Sequence, residues 1–357
     1  MRVHLVDPAA YTPPYDRALA AALARAGAAV ELWTTRFRHG DVPPARGVIV
    51  RESFYARGGG RYARLLQHVP DMARYRAQAR VADVVHFQWL PVQALDRFLL
   101  PAVHPRLLTA HDVMPREPKP SQLAGQRALY ERMDAIVVHS EHGAARLRDE
   151  LGLDPRRIHV IPHGALTGLT LPDPRPPLAR GEGPVVLFFG LIRPYKGVDV
   201  LLEAWKRAQR PPGAELWVVG SPRMDVSFLH GDGVRTVLRF VSGAELAGAF
   251  AAADLVVLPY REIDQSGVLF TALAFGRPLL LTRVGGFPEV AETGAAQLVP
   301  PDDADALAQA LTELLDDPDR RQRMAAAARA AADGPYSWDA IARRTLALYA
   351  ALQADTR

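Results

Sequence analysis

The stretch VVLFFGLIRPYKGVDVLLEAW, residues 185–205, joins an apolar run to a glycine turn and then to an amphipathic pattern. Consecutive Val, Leu and Phe residues favour a strand that is buried on both faces, and Gly190 favours a turn at its end. After Gly197 the apolar residues recur at the spacing of one helix face. A buried strand that leads into a helix predicts a parallel sheet covered by helices, which is an α/β fold.

The same alternation of strand and helix patterns runs through the rest of the chain. In the first half, strands are predicted at VHLV, AVELWTT, DVVHFQ, RLLTAH, DAIVVHS and IHVIPHG, with helices over 15–27, 122–133 and 141–151. In the second half, strands are predicted at VVLFFG, AELWVVG, RTVLRF, ADLVVLPY, RPLLLTR and AAQLVP, with helices near 198–210, 243–252, 266–276, 303–316 and 318–333. The sequence therefore predicts two doubly wound, Rossmann-like domains.

The boundaries of these domains follow from local composition. Residues 167–184, TGLTLPDPRPPLARGEGP, are rich in proline and lack periodicity, as interdomain linkers do. We therefore assign residues 1–166 to an N-terminal domain and residues 185–335 to a C-terminal domain. Residues 336–357 are predicted to form a last helix, and its apolar side chains need a surface to cover, namely Trp338, Ile341, Leu346 and Tyr349.

The overall composition excludes several classes of protein. The chain has 357 residues and a net charge of only +4, which does not indicate a general nucleic-acid binder. It contains no cysteine, which excludes disulfides and thiolate metal sites, and we expect a cytoplasmic location. We expect neither an export signal nor a membrane span, because no apolar run is long enough. Neither half opens with G-x-G-x-x-G, which argues against a nicotinamide oxidoreductase.

Two stretches carry side chains or backbone suited to binding phosphate. Arg193 and Lys196 follow a predicted strand, where open parallel sheets bind ligands, and two cations there can neutralise a diphosphate leaving group. The alternative is a pair of solvated loop cations. The stretch DQSGVLFTALAFGRP, residues 264–278, places Ser266 and Gly267 at a helix N-terminus, whose free N–H groups favour an anion. The alternative there is a serine that only caps its own helix.

The sequence resembles the retaining glycosyltransferases of family 4, which have the GT-B fold. The resemblance lies in the order of VVLFFGLIRPYKGVDVLLEAW, ELWVVGSP, AAADLVVLPY, QSGVLFTALAFGRPLLLTRVGGFPEV and YSWDAIARRTLALYAAL, together with LTAHDVMP and IPHG in the first half. It implies two Rossmann-like domains facing each other across a cleft, an N-terminal acceptor-side domain and a C-terminal domain that binds a nucleotide-diphosphate-sugar. It also implies that the last helix crosses back onto the N-terminal domain and that no metal ion or other cofactor takes part.

The resemblance assigns roles to individual residues. It implies that Arg193 and Lys196 bind the donor diphosphate and that His111 lies beside the sugar, although a His before an Asp can also be an ordinary packing residue. The other residues implied for nucleotide and diphosphate binding are Gly190, Gly220, Phe240, Val241, Ser242, Ser266, Gly267, Val268 and Thr271. On the acceptor side, the candidates are Tyr11, Thr12, Tyr15, Ser140 and His163.

The sequence departs from the family pattern in two places. Many members have two glutamates eight apart across the phosphate-binding turn, and the equivalent positions here are Ile263 and Thr271. The neutral Thr271 lacks the charge of a glutamate that contacts the ribose, so Glu262 and Asp264 are the candidate substitutes. Leu191 stands where an arginine is common, and Arg193 follows two residues later.

Residues 51–80 concentrate positive charge in the first half of the chain. Seven arginines there are opposed by Glu52 and Asp71, and they alternate with the apolar residues Phe54, Tyr55, Tyr62, Leu65, Leu66 and Tyr75. A basic helix with aromatic residues can rest on an anionic membrane, as relatives that use lipid-linked acceptors do. The alternatives are a solvated surface helix and a site for single-stranded nucleic acid, and we expect no nucleic-acid partner because no known binding module is present.

Three functions are consistent with these observations. The first is a retaining, metal-independent glycosyltransferase that moves a sugar from a nucleotide-diphosphate-sugar to a glycan or a lipid-linked acceptor, in the cytoplasm or on the inner face of the membrane. The second is a non-catalytic binding or scaffold protein with the GT-B fold, which the loss of the ribose contact at Thr271 would explain. The third is a sugar-nucleotide epimerase, which shares the architecture.

Overall fold

The computed structural model describes residues 1–37, 40, 42–114 and 120–355, and these form two compact units. The first unit runs from Met1 to Gly164 and includes the chain from Trp338 onward. The second unit runs from Ala165 to Ser337. Each unit has its own parallel sheet, so the prediction of two doubly wound α/β domains is confirmed.

Within the described residues, the first unit contains a seven-stranded parallel sheet. Its strands are β1 (Arg2–Asp7), β2 (Ala29–Thr34), β3 (Ile49–Glu52), β4 (Val84–Phe87), β5 (Arg106–Thr109), β6 (Ala135–Val138) and β7 (Ile158–Val160). The connecting helices are α1 (Pro13–Arg25), α2 (Arg61–Gln78), α3 (Gln93–Leu99), α4 (Pro120–Tyr130) and α5 (Glu141–Asp149). The strand order is β3-β2-β1-β4-β5-β6-β7, so the winding reverses between β1 and β4.

The second unit, which is described without gaps, contains a six-stranded parallel sheet. Its strands are β8 (Val185–Phe189), β9 (Glu215–Val219), β10 (Val234–Val237), β11 (Leu255–Leu258), β12 (Leu279–Thr282) and β13 (Ala296–Val299). Its helices are α6 (Val198–Arg207), α7 (Gly243–Ala252), α8 (Gly267–Ala274), α9 (Phe287–Ala291), α10 (Ala304–Asp316) and α11 (Pro318–Asp333). The strand order is β10-β9-β8-β11-β12-β13, so the winding reverses between β8 and β11.

The strands that are apolar throughout form the core of each sheet. Every residue of β4, β6, β8, β11 and β12 is buried. Burying one Val, Leu or Phe side chain fully contributes about 1.5–3 kcal/mol, so these strands account for much of the stability of each unit. The sequence analysis missed β3 because this edge strand is largely exposed and its residues, IVRE, do not form an apolar run.

The last helix, α12 (Trp338–Asp355), belongs to the first unit although it follows the second in the sequence. It buries Trp338, Ile341, Ala342, Thr345 and Tyr349. The Tyr349 hydroxyl lies 2.7 Å from Nδ1 of the buried His86. These contacts give the helix the covering surface that its apolar residues require.

The proline-rich segment 167–184 has little regular structure and packs on the second unit. It contains one short 3-10 turn, Thr167–Leu169. Its Arg175 N–H donates to the carbonyl oxygen of Ala244 over 2.9 Å, and Arg180 lies 2.7 Å from Asp254. The chain passes between the two units at Gly164 and Ala165, and again at Ser337 and Trp338.

No helix among the residues that the structure describes combines the length and the apolar character that a bilayer crossing requires.

Candidate functional site

The turn that follows β8 is shaped by close backbone contacts. Gly220, at the end of β9, has φ of 153°, and a Cβ atom there would lie 1.8 Å from the carbonyl oxygen of Gly190. No side chain fits in that space, so glycine is required at position 220. The backbone at Gly220 therefore lies directly against the backbone at Gly190.

The ammonium group of Lys196 lies beside Gly190. Its Nζ atom is 3.1 Å from the position that a Cβ atom of residue 190 would occupy, and Cγ2 of Val268 in α8 is 3.4 Å from the same point. Lys196 is only 7% exposed, and its Nζ lies 5.0 Å from the centroid of the Tyr260 ring, which is a cation–π contact. The turn after β8, which carries Lys196, and the N-terminal turn of α8 thus meet at Gly190, within the second unit.

Arg193, the other cation of this turn, is exposed and precedes the short 3-10 turn Pro194–Lys196. Leu191, at the position where family members often have arginine, is 38% exposed. Of the two predicted cations, Lys196 therefore has the fixed position.

Arg261 holds this turn in place, and the sequence analysis did not identify it. Its guanidinium lies 2.7 Å from Asp199 and 2.6 Å from Asp302, and it also donates to the Pro194 carbonyl oxygen. Its backbone N–H donates to the carbonyl oxygen of Tyr195 over 2.7 Å. An arginine shortly after a strand has no pattern that distinguishes it, so its role is visible only in the contacts.

The N-terminus of α8 is open. The hydroxyl of Ser266 caps no N–H group of the helix, so the alternative of a serine that only caps its own helix is wrong. The Ser266 N–H donates to Oε1 of Gln265 over 3.0 Å. No atom lies within 4 Å of a Cβ placed on Gly267, so the space beside this residue of the first turn is open.

Thr271 has a local partner for its hydroxyl. Its Oγ1 atom donates to the carbonyl oxygen of Gly267 over 2.8 Å, and the residue is only 4% exposed. The two candidate substitutes lie in the loop before α8, where Glu262 is exposed and Asp264 is half-buried. The acidic residues nearest in sequence to this helix therefore lie ahead of its N-terminus.

The segment 240–242, predicted to line the base pocket, presents one exposed ring. Phe240 is 65% exposed, which leaves its ring available for stacking, whereas Val241 is buried. Ser242 caps α7 in a reciprocal pair with Glu245, whose carboxylate accepts from the Ser242 N–H over 2.9 Å. The Arg239 guanidinium, together with the Ser242 N–H, lowers the pKa of Glu245 to about 2.

In the first unit, His111 lies in a buried cluster of aromatic side chains. Its Nδ1 atom is 3.1 Å from Nε2 of His139. The Tyr15 ring meets the His111 ring edge-on, with centroids 4.7 Å apart, and it also meets the His163 ring, with centroids 4.8 Å apart. Trp338 closes the cluster, 5.1 Å from Tyr15. His163 donates its Nδ1–H to the Gly164 carbonyl oxygen over 2.7 Å. Pro115, the last residue of LTAHDVMP, lies outside the described residues.

Burial keeps these imidazoles neutral. It lowers the pKa of His139 to about 4 and that of the neighbouring His86 to about 3. The pKa values of His111 and His163 are also lowered well below the ordinary value, chiefly by burial and then by repulsion from His139. The cluster therefore carries no charge at neutral pH.

Two acceptor-side candidates lie in a loop that Asp7 organises. The Asp7 carboxylate accepts from the backbone N–H groups of Ala9 at 3.0 Å and Tyr11 at 2.5 Å, with a longer contact of 3.4 Å to Thr12. Burial, followed by the charge of Asp7, raises the pKa of Asp16 well above its usual value. The sequence analysis did not single out Asp7, at the end of β1, or Asp16, in α1.

The acceptor-side candidates differ in exposure. Tyr11 is 47% exposed, stacks on Trp89 with centroids 4.0 Å apart, and donates to Asp112 over 2.8 Å. Tyr15 is buried, and its ring packs against the histidine cluster instead of facing the exposed loop. Ser140 is buried and its Oγ accepts from the Gly143 N–H at the start of α5.

The basic segment 51–80 presents a mixed surface. Tyr62 and Leu66 are 83% and 80% exposed on α2, and Leu65 and Val69 are also exposed. Phe54, Tyr55 and Tyr75, predicted to alternate with arginines, are buried, because they pack into the hydrophobic core of the first unit. The side chain of Arg61 lies outside the described residues, and the other six arginines of the segment are exposed.

A cavity of about 810 Å³ adjoins this surface. It is lined by Ala9, Tyr55, Gly59, Gly60, Tyr62, Arg64, Leu65, His68, Pro91 and Val92. All of these residues belong to the first unit. Because Ala9 lies in the loop that follows β1, the cavity borders the predicted acceptor loop.

Comparison with known families gives two matches that together span most of the chain. Residues 17–167 match the model of Glycosyltransferase Family 4, and residues 183–317 match that of Glycosyl transferases group 1. Among curated relatives, a D-inositol 3-phosphate glycosyltransferase from Segniliparus rotundus is 31% identical, over 94% of this chain and 83% of its own length.

Solved structures share the fold over nearly the whole chain. Sucrose-phosphate synthase from Thermosynechococcus elongatus has a TM-score of 0.75 at 22% identity, over 99% of this chain and 100% of its own. Anabaena Alr3699/HepE in complex with UDP has a TM-score of 0.74 at 19% identity, with the same coverage. At these identities the likeness establishes the fold alone, which is that of the GT-B glycosyltransferases.

We expect the free energy of unfolding to fall as the pH decreases from 7 to 5. The folded pKa values of His139 and His86, about 4 and about 3, lie below the value of about 6.5 in an unfolded chain. Between the folded and the unfolded pKa values, the unfolded chain binds more protons than the folded chain does. The stability that is present above pH 6.5 is therefore lost as the pH falls towards the folded pKa. At pH 5 each of these two histidines lowers the free energy of unfolding by about 2 kcal/mol relative to its value at pH 7. Urea denaturation at the two pH values measures this change.

The variants His86→Gln and His142→Gln separate this effect from other titrations. His86 is buried, whereas His142 is exposed on α5. His86→Gln should reduce the difference in stability between pH 7 and pH 5, and His142→Gln should leave it unchanged. If both variants keep the full difference in stability, burial of His86 is not its cause.

Proposed function

We propose that this chain, which belongs to glycosyltransferase family 4, is a retaining enzyme that uses a nucleotide-diphosphate-sugar and needs no metal ion. That it is a glycosyltransferase follows from its family. The observation that supports the donor class is the convergence of the Lys196 ammonium and the N-terminal turn of α8 at Gly190. A buried cation and a helix N-terminus that approach one point suit the two phosphates of such a donor.

The proposed chemistry requires one bond to break and one to form. The bond between the anomeric carbon and the β-phosphate oxygen breaks, and a bond forms from the same carbon to the acceptor hydroxyl oxygen. The proton of that hydroxyl passes to the departing phosphate, so no side chain need act as nucleophile or base. Lys196 and the first N–H groups of α8, next to Ser266, Gly267 and Val268, would stabilise the negative charge that develops on the diphosphate.

Metal independence is part of this proposal. Within the described residues, no group of three or more His, Cys, Asp or Glu side chains is arranged to hold a metal ion. In the proposed mechanism Lys196, assisted by the exposed Arg193, supplies the positive charge that a divalent cation would otherwise provide.

The base and the sugar of the donor are to be identified by experiment, and UDP-sugars are the first donors to test. Alr3699/HepE, which shares the fold, was solved with UDP. Phe240 is the exposed ring proposed to stack on the base, with Gly220 and Val241 beside it in the sequence-predicted pocket. Glu262 and Asp264 are the groups proposed to replace the missing ribose contact.

We propose a glycan or lipid-linked acceptor that the first unit binds. The exposed Tyr62 and Leu66 of α2, flanked by exposed arginines and by the cavity of about 810 Å³, favour an acceptor held at an anionic membrane surface. The relative from Segniliparus rotundus is named for transfer to D-inositol 3-phosphate, so this small soluble phosphate is the discriminating alternative acceptor.

Replacing Lys196 with Ala should reduce sugar transfer from a UDP-sugar by at least a hundredfold while leaving the fold intact. The ammonium group would stabilise charge that develops only during transfer, and losing such a group costs about 3 kcal/mol or more at the barrier. The measurement is kcat/KM for transfer, with circular dichroism to check the fold.

Lys206→Ala is the matched control, because Lys206 is an exposed lysine on α6 that pairs with Glu203 over 3.7 Å. It should keep full activity. Unchanged turnover in Lys196→Ala would contradict the role proposed for this residue. Conversion of the sugar nucleotide by the unmodified protein without any acceptor would indicate an epimerase instead of a transferase.

Sedimentation with vesicles tests the membrane proposal. The protein should bind vesicles that contain phosphatidylglycerol, and binding should weaken in high salt because each arginine near the surface contributes about 1 kcal/mol. Leu66→Glu should abolish binding, whereas Leu171→Glu, at an exposed leucine of the second unit, should not. Failure of the unmodified protein to bind such vesicles at low salt would exclude this surface as a membrane contact.

A further inference from the structure

Two stacked aromatic rings lie where the winding of the first sheet reverses. Tyr11 is in the loop after β1, and Trp89 follows β4, the strand that pairs with β1 at the reversal. Their ring centroids are 4.0 Å apart and the rings are inclined by 12°. In open parallel sheets, ligands bind beyond the carboxyl ends of the strands at such a reversal. This pair, which we call the aromatic platform, therefore lies where the first unit is expected to hold a ligand.

The Tyr11 side chain is fixed although it lies on the surface. Its hydroxyl donates to Oδ2 of Asp112, in the loop after β5, over 2.8 Å. Its backbone N–H donates to the carboxylate of Asp7, at the end of β1, over 2.5 Å. Surface loops are usually more mobile than the elements that they connect. An exposed ring that is held by its face, its hydroxyl and its backbone is therefore already in place for a ligand.

The backbone just before Tyr11 is strained. Ala10 has φ of 49°, in the left-handed region that a residue with a Cβ atom rarely adopts. The Asp7 carboxylate holds this conformation, because it accepts from the N–H groups of Ala9 and Tyr11 on either side of Ala10. Strain of this kind is found mainly at binding and catalytic sites. The loop therefore gives up stability in the conformation that presents Tyr11.

The platform combines an apolar face with a carboxylate. Tyr11 is 47% exposed although Trp89 covers one face of its ring, and Asp112 is half-buried beside its hydroxyl. The face of an aromatic ring carries partial negative charge and attracts C–H groups. A carboxylate accepts hydrogen bonds from hydroxyl groups and repels phosphate. A pyranose ring suits both groups, because it has a face of C–H groups and an edge of hydroxyl groups.

We propose that the aromatic platform binds a neutral pyranose ring of the acceptor, with Tyr11 stacked on the ring face and Asp112 accepting from its hydroxyl groups. Trp89 is a positioning residue that supports the Tyr11 ring from behind. The inference rests on the proposed function, which makes the ligand of the first unit the acceptor. It also predicts a preference for neutral glycosides over D-inositol 3-phosphate, because a phosphate near Asp112 would be repelled.

Saturation-transfer NMR with simple glycosides tests the platform without a donor. The probes are the methyl glycosides of glucose, galactose and mannose at millimolar concentration, and glucitol is the control that has hydroxyl groups but no ring face. We expect saturation transfer to at least one glycoside, strongest at the C–H protons of one ring face, and none to glucitol. Absence of transfer to all three glycosides would overturn the proposal.

Variants of the two rings locate the binding. Tyr11→Ala removes the exposed ring and should abolish saturation transfer. Trp89→Leu should weaken the transfer and Trp89→Phe should keep it, because an aromatic ring is needed to stack against Tyr11. The matched control is Phe98→Ala, which removes a 55% exposed aromatic ring from α3 of the same unit and should change nothing. Unchanged transfer in a folded Tyr11→Ala protein would also overturn the proposal.

A comparison of two further variants tests the contact of Asp112 with the sugar. Tyr11→Phe removes only the hydroxyl that Asp112 holds, and it should weaken glycoside binding about threefold. Asp112→Ala also removes the carboxylate that accepts from the sugar, and it should weaken binding by about tenfold or more. Equal effects of the two variants, with no further loss when they are combined, would show that Asp112 only holds Tyr11 and would overturn its assignment as a sugar contact.

Kinetics connect the platform to the acceptor. With a donor that turns over and a glycoside acceptor, Tyr11→Ala should raise KM for the acceptor about tenfold and leave kcat within about twofold, because stacking acts equally on the bound acceptor and on the transition state. Phe98→Ala should leave both constants unchanged. A preference of the unmodified enzyme for D-inositol 3-phosphate over all three glycosides would overturn the proposed acceptor class.

If the glycosides bind at the platform but no donor is turned over, the proposed function fails while the sugar site stands. If sugar is transferred but Tyr11→Ala changes neither glycoside binding nor KM, the proposed function stands and this inference fails.

Discussion

The second unit depends on the absence of a side chain at Gly190 and Gly220. A Cβ at position 220 would lie 1.8 Å from the Gly190 carbonyl oxygen, and a Cβ at position 190 would lie 3.1 Å from Nζ of Lys196. The first contact lets two strand ends meet, and the second leaves room for a buried ammonium group. Because a buried cation is costly unless polar or aromatic groups surround it, the Tyr260 ring at 5.0 Å is part of the same arrangement.

The two units use burial in opposite ways. In the second unit Lys196 is only 7% exposed at the turn that we propose binds an anion, and Arg261 links that turn to Asp199 and Asp302. In the first unit, burial removes charge from histidines. A charged centre suits the recognition of phosphate, and a neutral one suits the recognition of an uncharged ligand.

Much of the architecture could be predicted from the sequence because parallel strands that are buried on both faces form distinct apolar runs. The positions of Lys196 and Gly267 were also predictable, since each follows such a run at the carboxyl end of a strand. Sequence patterns could not reveal Arg261, Asp7 or Trp89, because their roles depend on contacts between segments far apart in the chain. The burial of Tyr15 and Phe54 was missed for a similar reason, because aromatic residues beside polar ones resemble a surface.

We propose above all that the turn at Gly190 and Lys196 binds a nucleoside diphosphate without a metal ion. Calorimetric titration of the purified protein with UDP, GDP and ADP, first without and then with magnesium, tests it most directly. We expect micromolar binding of one of these nucleotides, with an affinity that magnesium does not change. Absence of binding by all three at millimolar concentration would contradict it.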